Sequence, residues 1–255
     1  MYVHHKHACI IWSFKSYIMY GNLYLIPLPI HQQQIEQTMP LFNLHLINEI
    51  THYIVENIRT ARRFLKKAGF KNNLDDVQFF LLNKHTAEID YQTYINPLLS
   101  GHHVGLMSES GIPCVADPGS KIVFLAHKHH IRTVPLSGPS SIFLSLAASG
   151  LNGQNFAFNG YLPVKRPMRI NQLKTLEHLS YKEDQTQIFI ETPYRNNQLI
   201  HDILSVCNKN TYLCIASEVT SDEAYISTRT IADWKKENMD FHKKNTIFLL
   251  HKFKE

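Results

Sequence analysis

The segment that decides the fold is Met107-Ser-Glu-Ser-Gly-Ile-Pro-Cys-Val-Ala-Asp-Pro-Gly119. It follows the apolar run of residues 104–107, which is typical of a buried strand, and it precedes a helical pattern over residues 121–130. In open α/β sheets, ligands bind in the crevice beyond the carboxyl ends of the parallel strands. The segment is therefore predicted to be a ligand-binding loop that ends at a helix N-terminus.

Glycine and proline punctuate this loop and a second one, Pro135-Leu-Ser-Gly-Pro-Ser-Ser141. Gly111 and Gly119 allow backbone conformations, or close approaches to a ligand, that other residues exclude. Ser140 can cap the helix that is predicted after the second loop. Tight turns with a helix cap are the simpler interpretation of either loop alone. Two such loops at successive strand ends favour a binding crevice.

The first half of the chain alternates short apolar runs with helical patterns, as parallel βαβ units do. The predicted strands cover residues 22–27, 52–55, 78–82, 104–107 and 131–136. The predicted helices cover residues 35–50 with a break at Pro40, 59–68, 91–99 and 121–130. This order predicts a mainly parallel sheet that is covered by helices on both faces.

The second half of the chain has a different order of elements. Helices are predicted over residues 140–149 and 196–206, and strands over residues 187–191, 213–218, 224–228 and 246–250. Because several of these strands are close in sequence, a mixed sheet is predicted. We therefore expect two α/β domains, residues 22–136 and 137–255, with a cleft between them. Residues 1–21 are predicted to form an N-terminal extension outside the fold.

The composition restricts the possible classes of function. A hydrophobic content of 44% argues against disorder, and no apolar run approaches the ~20 residues that span a bilayer, so no membrane partner is expected. The four cysteines are scattered, which favours reduced thiols in a cytoplasmic protein. The histidines lack the spacing of metal ligands, so no metal is predicted. The net charge of +5 is compatible with RNA as a partner.

Several motifs occur in the order and spacing of one family. They are Ser108-Glu-Ser-Gly-Ile-Pro113, Asp117-Pro-Gly119, Pro135-Leu-Ser-Gly-Pro-Ser140, Ala147-Ala-Ser-Gly-Leu151 and Gly160-Tyr-Leu-Pro163. The chain resembles the tetrapyrrole methylase superfamily, the class III methyltransferases that depend on S-adenosyl-L-methionine (SAM). Glu191-Thr-Pro-Tyr-Arg195 and Glu218-Val-Thr220 resemble elements of one branch, which contains the 2′-O-methyltransferase of ribosomal small-subunit RNA.

The resemblance implies that SAM is the cofactor, bound in the cleft between the two α/β domains, and that the protein is a homodimer. It also implies methylation of ribosomal RNA at a ribose 2′-hydroxyl. The residues that it assigns to cofactor binding lie on three loops and are Pro27, Pro29, Ser108, Gly111, Ile112, Pro113, Ser137, Gly138, Pro139 and Ser140.

A hydroxyl acceptor needs a base that removes its proton as the oxygen attacks the methyl group. The candidate carboxylates are Glu56, Glu109, Asp117 and Glu191. We predict that Glu56 and Asp117 are catalytic. Two simpler interpretations stay open: Glu56 can pair with Arg59 or Arg63 on the same helical segment, and Asp117 before Pro-Gly can be a turn former.

Four arginines are predicted to bind RNA, namely Arg59, Arg62, Arg63 and Arg195. Contacts to phosphates give affinity but no sequence readout. The first three lie on one predicted helix together with Lys66 and Lys67, and a solvated basic face explains that pattern equally well.

The first predicted cofactor loop departs from the family pattern. It is Pro27-Leu-Pro-Ile-His31, without the glycine that the family usually has there. A late Lys-Gly-Glu of the family is also replaced, by Lys244-Asn245-Thr246. These departures keep two alternative functions open. One is methylation of a small molecule such as a tetrapyrrole, and the other is a non-catalytic role in binding SAM or RNA.

Overall fold

The computed structural model describes residues 20–31, 35–83, 86 and 91–254. Most of the predicted N-terminal extension, residues 1–19, lies outside the described residues. The chain is packed from Gly21 onward, since the Gly21 amide donates a hydrogen bond to the Leu98 carbonyl (2.8 Å). A side chain at this position would collide with the His102 carbonyl oxygen, 1.8 Å from the place of its Cβ.

The first sheet has five parallel strands in the order β3-β2-β4-β1-β5. The strands are β1 (Leu23–Ile26), β2 (His52–Val55), β3 (Gln78–Leu81), β4 (Val104–Met107) and β5 (Thr133–Pro135). The helices are α1 (Ile35–Thr38), α2 (Leu41–Leu46), α3 (Ile58–Lys67), α4 (Tyr91–Leu99) and α5 (Ser120–Lys128), with a 3-10 turn at Ile47–Glu49. The predicted parallel sheet is confirmed.

Helices cover both faces of this sheet, so the central strand β4 is buried along its whole length. Two apolar clusters form the core, one on each face. Helix α3 illustrates why the sequence folds this way locally. Asn57 accepts hydrogen bonds from the amides of Arg59 and Thr60 and caps the helix, and the buried residues Ala61, Phe64 and Leu65 form its apolar stripe.

The second sheet has five strands in the order β6-β7-β10-β8-β9. They are β6 (Phe156–Tyr161), β7 (Thr186–Ile190), β8 (Tyr212–Ser217), β9 (Tyr225–Thr230) and β10 (Thr246–His251). Strands β6 and β7 are parallel and the other neighbours are antiparallel, which confirms the predicted mixed sheet. The helices are α6 (Ser141–Ser149), α7 (Arg166–Glu183), α8 (Asn196–Val206) and α9 (Ile231–Trp234), with a 3-10 turn at Pro193–Arg195.

Strand β6 and helix α7 were not predicted from the sequence. Strand β6 is irregular, because its pairing with β7 shifts register between Phe158 and Tyr161 and Gly160 has a φ of 63°. The buried stripe of α7 has helical spacing but mixed polarity, since it consists of Arg169, Leu173, Leu176 and Ser180. A pattern based on apolar residues alone misses such a helix.

Arg169 explains the polar position in that stripe. Its side chain, 1% exposed, lies against the equally buried carboxylate of Asp202 on α8, with Nη2–Oδ2 at 2.5 Å and Nε–Oδ2 at 2.9 Å. A further guanidinium nitrogen donates to the Val164 carbonyl at 2.8 Å. Arg166 donates to the other Asp202 oxygen at 2.9 Å. The buried pair thus joins α7, α8 and the loop that follows β6.

Among the described helices, none combines the length and the apolar character that a bilayer crossing requires.

Removal of the Asp202 carboxylate should strongly destabilise the second domain, because it leaves the buried Arg169 guanidinium unpaired. We expect Asp202→Ala to lower the free energy of unfolding by about 3–5 kcal/mol, measured by urea denaturation. The control is Glu237→Ala, which removes the partner of Arg229 in an exposed ion pair and should cost about 0–1 kcal/mol. Equal effects of the two substitutions would contradict a structural role of the buried pair.

Candidate active site

A cavity of about 300 Å³ lies between the two domains. The first domain contributes Ile30 and the loop after β4, with Ser110, Gly111, Ile112, Val115, Ala116 and Asp117. The second domain contributes the start of α6 and the ends of its strands, with Ser140, Ser141, Ile142, Phe158, Tyr161, Ile190, Glu191, Pro193, Ala216, Val219, Asn245, Thr246 and Ile247. The predicted crevice at the carboxyl end of β4 is therefore one wall of an interdomain cleft.

The loop after β4 is fixed to the loop after β1 by a two-way backbone contact. The Leu28 amide donates to the Gly111 carbonyl (2.9 Å), and the Gly111 amide donates to the Leu28 carbonyl (3.0 Å). Gly111 has a φ of 69°, a conformation that favours glycine. The prolines on either side of Leu28, Pro27 and Pro29, are buried. They support the wall from behind.

The third predicted loop, residues 137–140, also packs against the first. At Gly138 a Cβ atom would lie 2.2 Å from Cγ of the Pro27 ring, so no side chain fits there. The Ser137 carbonyl accepts a hydrogen bond from the Asn43 amide group at 2.7 Å, and the Ser140 hydroxyl caps α6. Of the predicted cofactor residues, Gly111, Ile112 and Ser140 line the cavity, while Pro27 and Gly138 hold the loops together.

The other predicted cofactor residues lie around the cavity and do not line it. Ser108, Pro113 and Pro139 are buried, whereas Ser137 is exposed. The Ser108 hydroxyl lies 3.2 Å from the Ser110 carbonyl oxygen.

Three carboxylates meet at the N-terminus of α3. Burial, and next the negative charges of Asp117 and Glu109, raise the pKa of Glu56 to about 7, although a hydrogen bond from the Glu109 amide opposes the change. Burial raises the pKa of Asp117 to about 6, against the effect of a hydrogen bond with Ser108 and with a contribution from the charge of Glu109. Both predicted catalytic carboxyls thus exchange protons near neutral pH.

The two carboxyls occupy different positions. Asp117 lines the cavity, and Glu56 is not among the lining residues. The Oε1 atom of Glu56 is buried without a hydrogen-bond partner. Of these two carboxyls, Asp117 is therefore the one that can touch a ligand in the cavity. Neither of the simpler interpretations accounts for this cluster of raised pKa values.

The backbone next to Asp117 is strained. Cys114 and Ala116 have φ values of 70° and 65°, in the left-handed region that side chains other than glycine rarely adopt. Such conformations cost about 1–3 kcal/mol each and cluster at active sites. This strain is in keeping with a binding loop, although His130 and Asp184, which do not line the cavity, also have positive φ values.

Glu191 forms the opposite wall, directly after β7. Its Oε1 atom accepts hydrogen bonds from Arg195 Nη2 (2.5 Å) and Nε (3.0 Å) and from the Thr192 amide (2.7 Å). Its Oε2 atom is buried and has no hydrogen-bond partner, although the residue lines the cavity. This oxygen is therefore an unsatisfied acceptor in the wall of the cavity. The sequence signal is the motif Glu191-Thr-Pro-Tyr-Arg195, which identifies Glu191 only as one of several candidate bases.

The predicted RNA-binding arginines have different surroundings. Arg195 is held by Glu191, with about a third of its side chain exposed, and Arg62 pairs with Asp75. Arg59 and Arg63 are exposed on α3. The helix N-terminus is joined to the carboxylate cluster, because the Thr60 hydroxyl donates to Glu109 (3.1 Å). The basic face of α3 therefore begins beside the acidic wall of the cleft.

The glycine-free first loop makes its own contact across the cleft. His31 Nε2 lies 3.5 Å from Glu218 Oε2 in the segment after β8, and the Asn245 amide donates to the other oxygen of Glu218. Both Val219 and Asn245 line the cavity. Loops of the two domains thus meet at this edge of the site.

No family model matches the chain, but the chain is similar to proteins of known function. The "Ribosomal RNA small subunit methyltransferase I" of Buchnera aphidicola subsp. Schizaphis graminum (strain Sg) is 33% identical over 233 residues, which are 90% of this chain and 78% of that protein.

Two solved structures share the fold. The crystal structure of the methyltransferase CobJ superposes with a TM-score of 0.60 at 18% identity, over 91% of this chain and 94% of that one. The cobalt precorrin-4 methyltransferase CbiF, a cobalamin biosynthetic enzyme, gives a TM-score of 0.57 at 13% identity, over 90% of this chain and 94% of that one. The two solved structures show the fold, and the 33% identity over most of both chains shows that this chain belongs to the ribosomal RNA small subunit methyltransferase I family.

Proposed function

We propose that the protein transfers the methyl group of SAM to a ribose 2′-hydroxyl of ribosomal small-subunit RNA. One observation carries the chemistry: Asp117, with a pKa of about 6, lines a cavity between the two domains. The similarity to an RNA methyltransferase over most of the chain supports RNA as the acceptor. It favours RNA over the tetrapyrrole acceptor and over a non-catalytic role.

The cavity suits SAM in size and in charge. Its volume of about 300 Å³ falls at the lower end of ligand pockets. SAM is a cation at its sulfonium, and the cavity walls carry the carboxyls of Asp117 and Glu191. The unpartnered Oε2 of Glu191 offers an acceptor to a hydroxyl or amino group of the cofactor. The backbone of Gly111 and the cap of α6 at Ser140 complete the two walls, one in each domain.

When bound, SAM supplies a methyl group that is already activated by the positive sulfur. The chain therefore has to hold the acceptor in line, remove its proton and exclude water. In this proposal Asp117 accepts the proton of the acceptor hydroxyl. With a pKa of about 6, it is ionised at neutral pH yet more basic than an ordinary aspartate. Glu56 acts through Asp117 as a positioning residue. The apolar lining residues Ile112, Ile142 and Ile247 limit the access of water.

The basic face of α3 provides the contact to RNA in this proposal. Arg59 and Arg63 are one helical turn apart and exposed, so both can reach phosphates on the same strand. Because the helix begins beside the carboxylates, RNA bound along it would present a ribose to the cleft. Arg195 contributes indirectly, through its hold on Glu191.

We also propose a cytoplasmic location and a homodimer. The free thiols of Cys114, Cys207 and Cys214 are in keeping with a reducing compartment. Helix α6 packs against the edge strand β9, and both leave large apolar side chains exposed: Phe143, Leu144, Tyr225 and Ile226. A second copy of the chain would cover this surface.

The first test combines cofactor binding with methyl transfer. We expect the wild type to bind SAM in isothermal titration and to transfer radiolabelled methyl to undermethylated small ribosomal subunits. Gly138→Ala should weaken SAM binding at least about tenfold, because its Cβ collides with the Pro27 ring and the loops must separate. Gly153→Ala is the control, since its Cβ meets open space.

Two outcomes would overturn parts of this proposal. If Gly138→Ala binds SAM with the affinity of the wild type, the proposal that SAM binds in the interdomain cleft is wrong. If the wild type binds SAM but transfers no methyl group to ribosomal subunits, the proposal that RNA is the acceptor is wrong.

The acid-base role of Asp117 predicts a pH profile. The rate should rise with pH through an apparent pKa of about 6 to 7 and then level off, because the base acts in its ionised form. Asp117→Asn should lower the rate by about 10²- to 10⁴-fold while SAM still binds. The exposed Asp76→Asn is the matched control, and an unchanged rate in Asp117→Asn would exclude the assignment.

If this surface forms the dimer, a charge placed on it should convert the dimer to a monomer. In analytical ultracentrifugation we expect the wild type to sediment as a dimer and Phe143→Glu as a monomer, because a buried charge opposes association. Phe124→Glu places the same charge on α5 at a side chain of comparable exposure (62% against 53%) and should leave the dimer intact. A monomeric wild type would refute the proposal.

A further inference from the structure

We propose that the mouth of the cavity carries a stacking site for an unpaired RNA base, formed by Tyr161, Tyr194 and His242. This inference rests on the proposed function and goes further, because it names the part of the surface that holds the acceptor nucleotide. It concerns single-stranded RNA and does not involve the basic face of α3.

The three rings lie on, or close in sequence to, residues that line the cavity. Tyr161 ends β6 and lines the cavity, yet its surface is 59% exposed. Tyr194 follows the lining residue Pro193 and is 69% exposed. The His242 ring lies edge-on to the Tyr194 ring, with centroids 5.8 Å apart and an interplanar angle of 73°. One exposed tyrosine is ordinary, but a group of exposed rings at a cavity mouth indicates a binding surface.

Hydrogen bonds within the chain hold the segments that carry Tyr194 and His242. The Lys243 amide donates to the Pro193 carbonyl (3.0 Å) and joins the two segments directly. The fully buried side-chain amide of Asn196 donates to the carbonyls of Phe241 (3.0 Å) and Lys244 (2.7 Å). Because the backbone is already held, binding would cost little ordering of the chain.

Charge at this rim favours a polyanion. Lys243 is exposed and Lys244 is half-buried, directly before the lining residue Asn245. Asp240 and Glu218 carry opposing charges, but Asp240 is engaged by the Asn197 side chain and the His242 amide, and Glu218 by His31 and the Asn245 amide. The aromatic rings are thus accompanied by cations that can reach the phosphates next to a stacked base.

The chemistry of the acceptor requires such a site. A ribose in a regular RNA helix cannot enter a cleft between two domains, so its nucleotide must leave the stack of its neighbours. Aromatic side chains replace the lost stacking, and this is how proteins generally hold unpaired bases. Tyr161 and Asp117 line the same cavity. A base on the tyrosine rim would therefore bring its ribose toward the carboxylate.

The test measures the affinity of the full-length protein for a fluorescein-labelled, mixed-sequence, single-stranded oligoribonucleotide by anisotropy. Tyr194→Ala should weaken binding about 5- to 100-fold, and Tyr194→Phe should restore it to within about twofold because the ring is kept. Tyr181→Ala is the matched control, since Tyr181 is an exposed tyrosine (44%) on α7 that does not line the cavity.

The salt dependence separates stacking from charge. Tyr194→Ala should leave the slope of log K against log salt unchanged, whereas Lys243→Ala should reduce its magnitude by about 0.7, as expected for one phosphate contact to a single strand. Titration with SAM should give wild-type affinity for Tyr194→Ala, and thermal unfolding should show that the variant is folded.

The outcomes distinguish the inference from the proposed function. Wild-type RNA affinity in Tyr194→Ala, or equal losses in the Ala and Phe variants, would overturn the stacking site while methyl transfer to ribosomal subunits still stands. A wild-type protein that binds SAM but neither binds RNA nor methylates subunits would overturn both.

Discussion

The close approach of three loops at Gly138 is the constraint on which the site depends. The Pro27 ring occupies the space where any other residue would place its Cβ, 2.2 Å from Cγ, and the Leu28–Gly111 backbone contact fixes the loop after β4 to the same point. Because these loops follow neighbouring parallel strands, their positions are set by the sheet. The interdomain turn then determines how the second domain faces them. A methyl side chain at Gly138 would therefore change the distance between the two walls of the cleft.

Most of the fold follows from local patterns. The first sheet was predictable because its strands are buried on both faces and form continuous apolar runs such as Val104–Met107. Strand β6 and helix α7 were missed because their key positions, Gly160 and Arg169, contradict the usual apolar pattern. Arg169 belongs to the core only because Asp202, distant in sequence, lies beside it. Single-sequence periodicity contains no information about such a pair.

The candidate site was predictable in outline and not in detail. Motif order located the loops, and the carboxylates were recognised as possible bases. Their ranking required the structure, since only the three-dimensional arrangement shows that Asp117 lines the cavity and that Glu56 does not. The same holds for Glu191, whose two oxygens differ because Arg195 engages one of them and the other is buried without a hydrogen-bond partner. Around Tyr194, the sequence shows aromatic and basic residues. It does not show that the segments of Tyr194 and His242 lie side by side next to the cavity.

The acidic lining of the cavity has a consequence for product release. If Asp117 is the base, its ionised form would attract a positively charged cofactor. Uptake of the acceptor's proton would neutralise Asp117 in the same step in which the cofactor would give up its positive charge with the methyl group. The attraction between Asp117 and the cofactor would therefore end with the transfer, while the Glu191 carboxyl stays in the wall. Turnover would then depend on the return of that proton to solvent from the half-buried Asp117. The base that assists methyl transfer would in this way also help to empty the site.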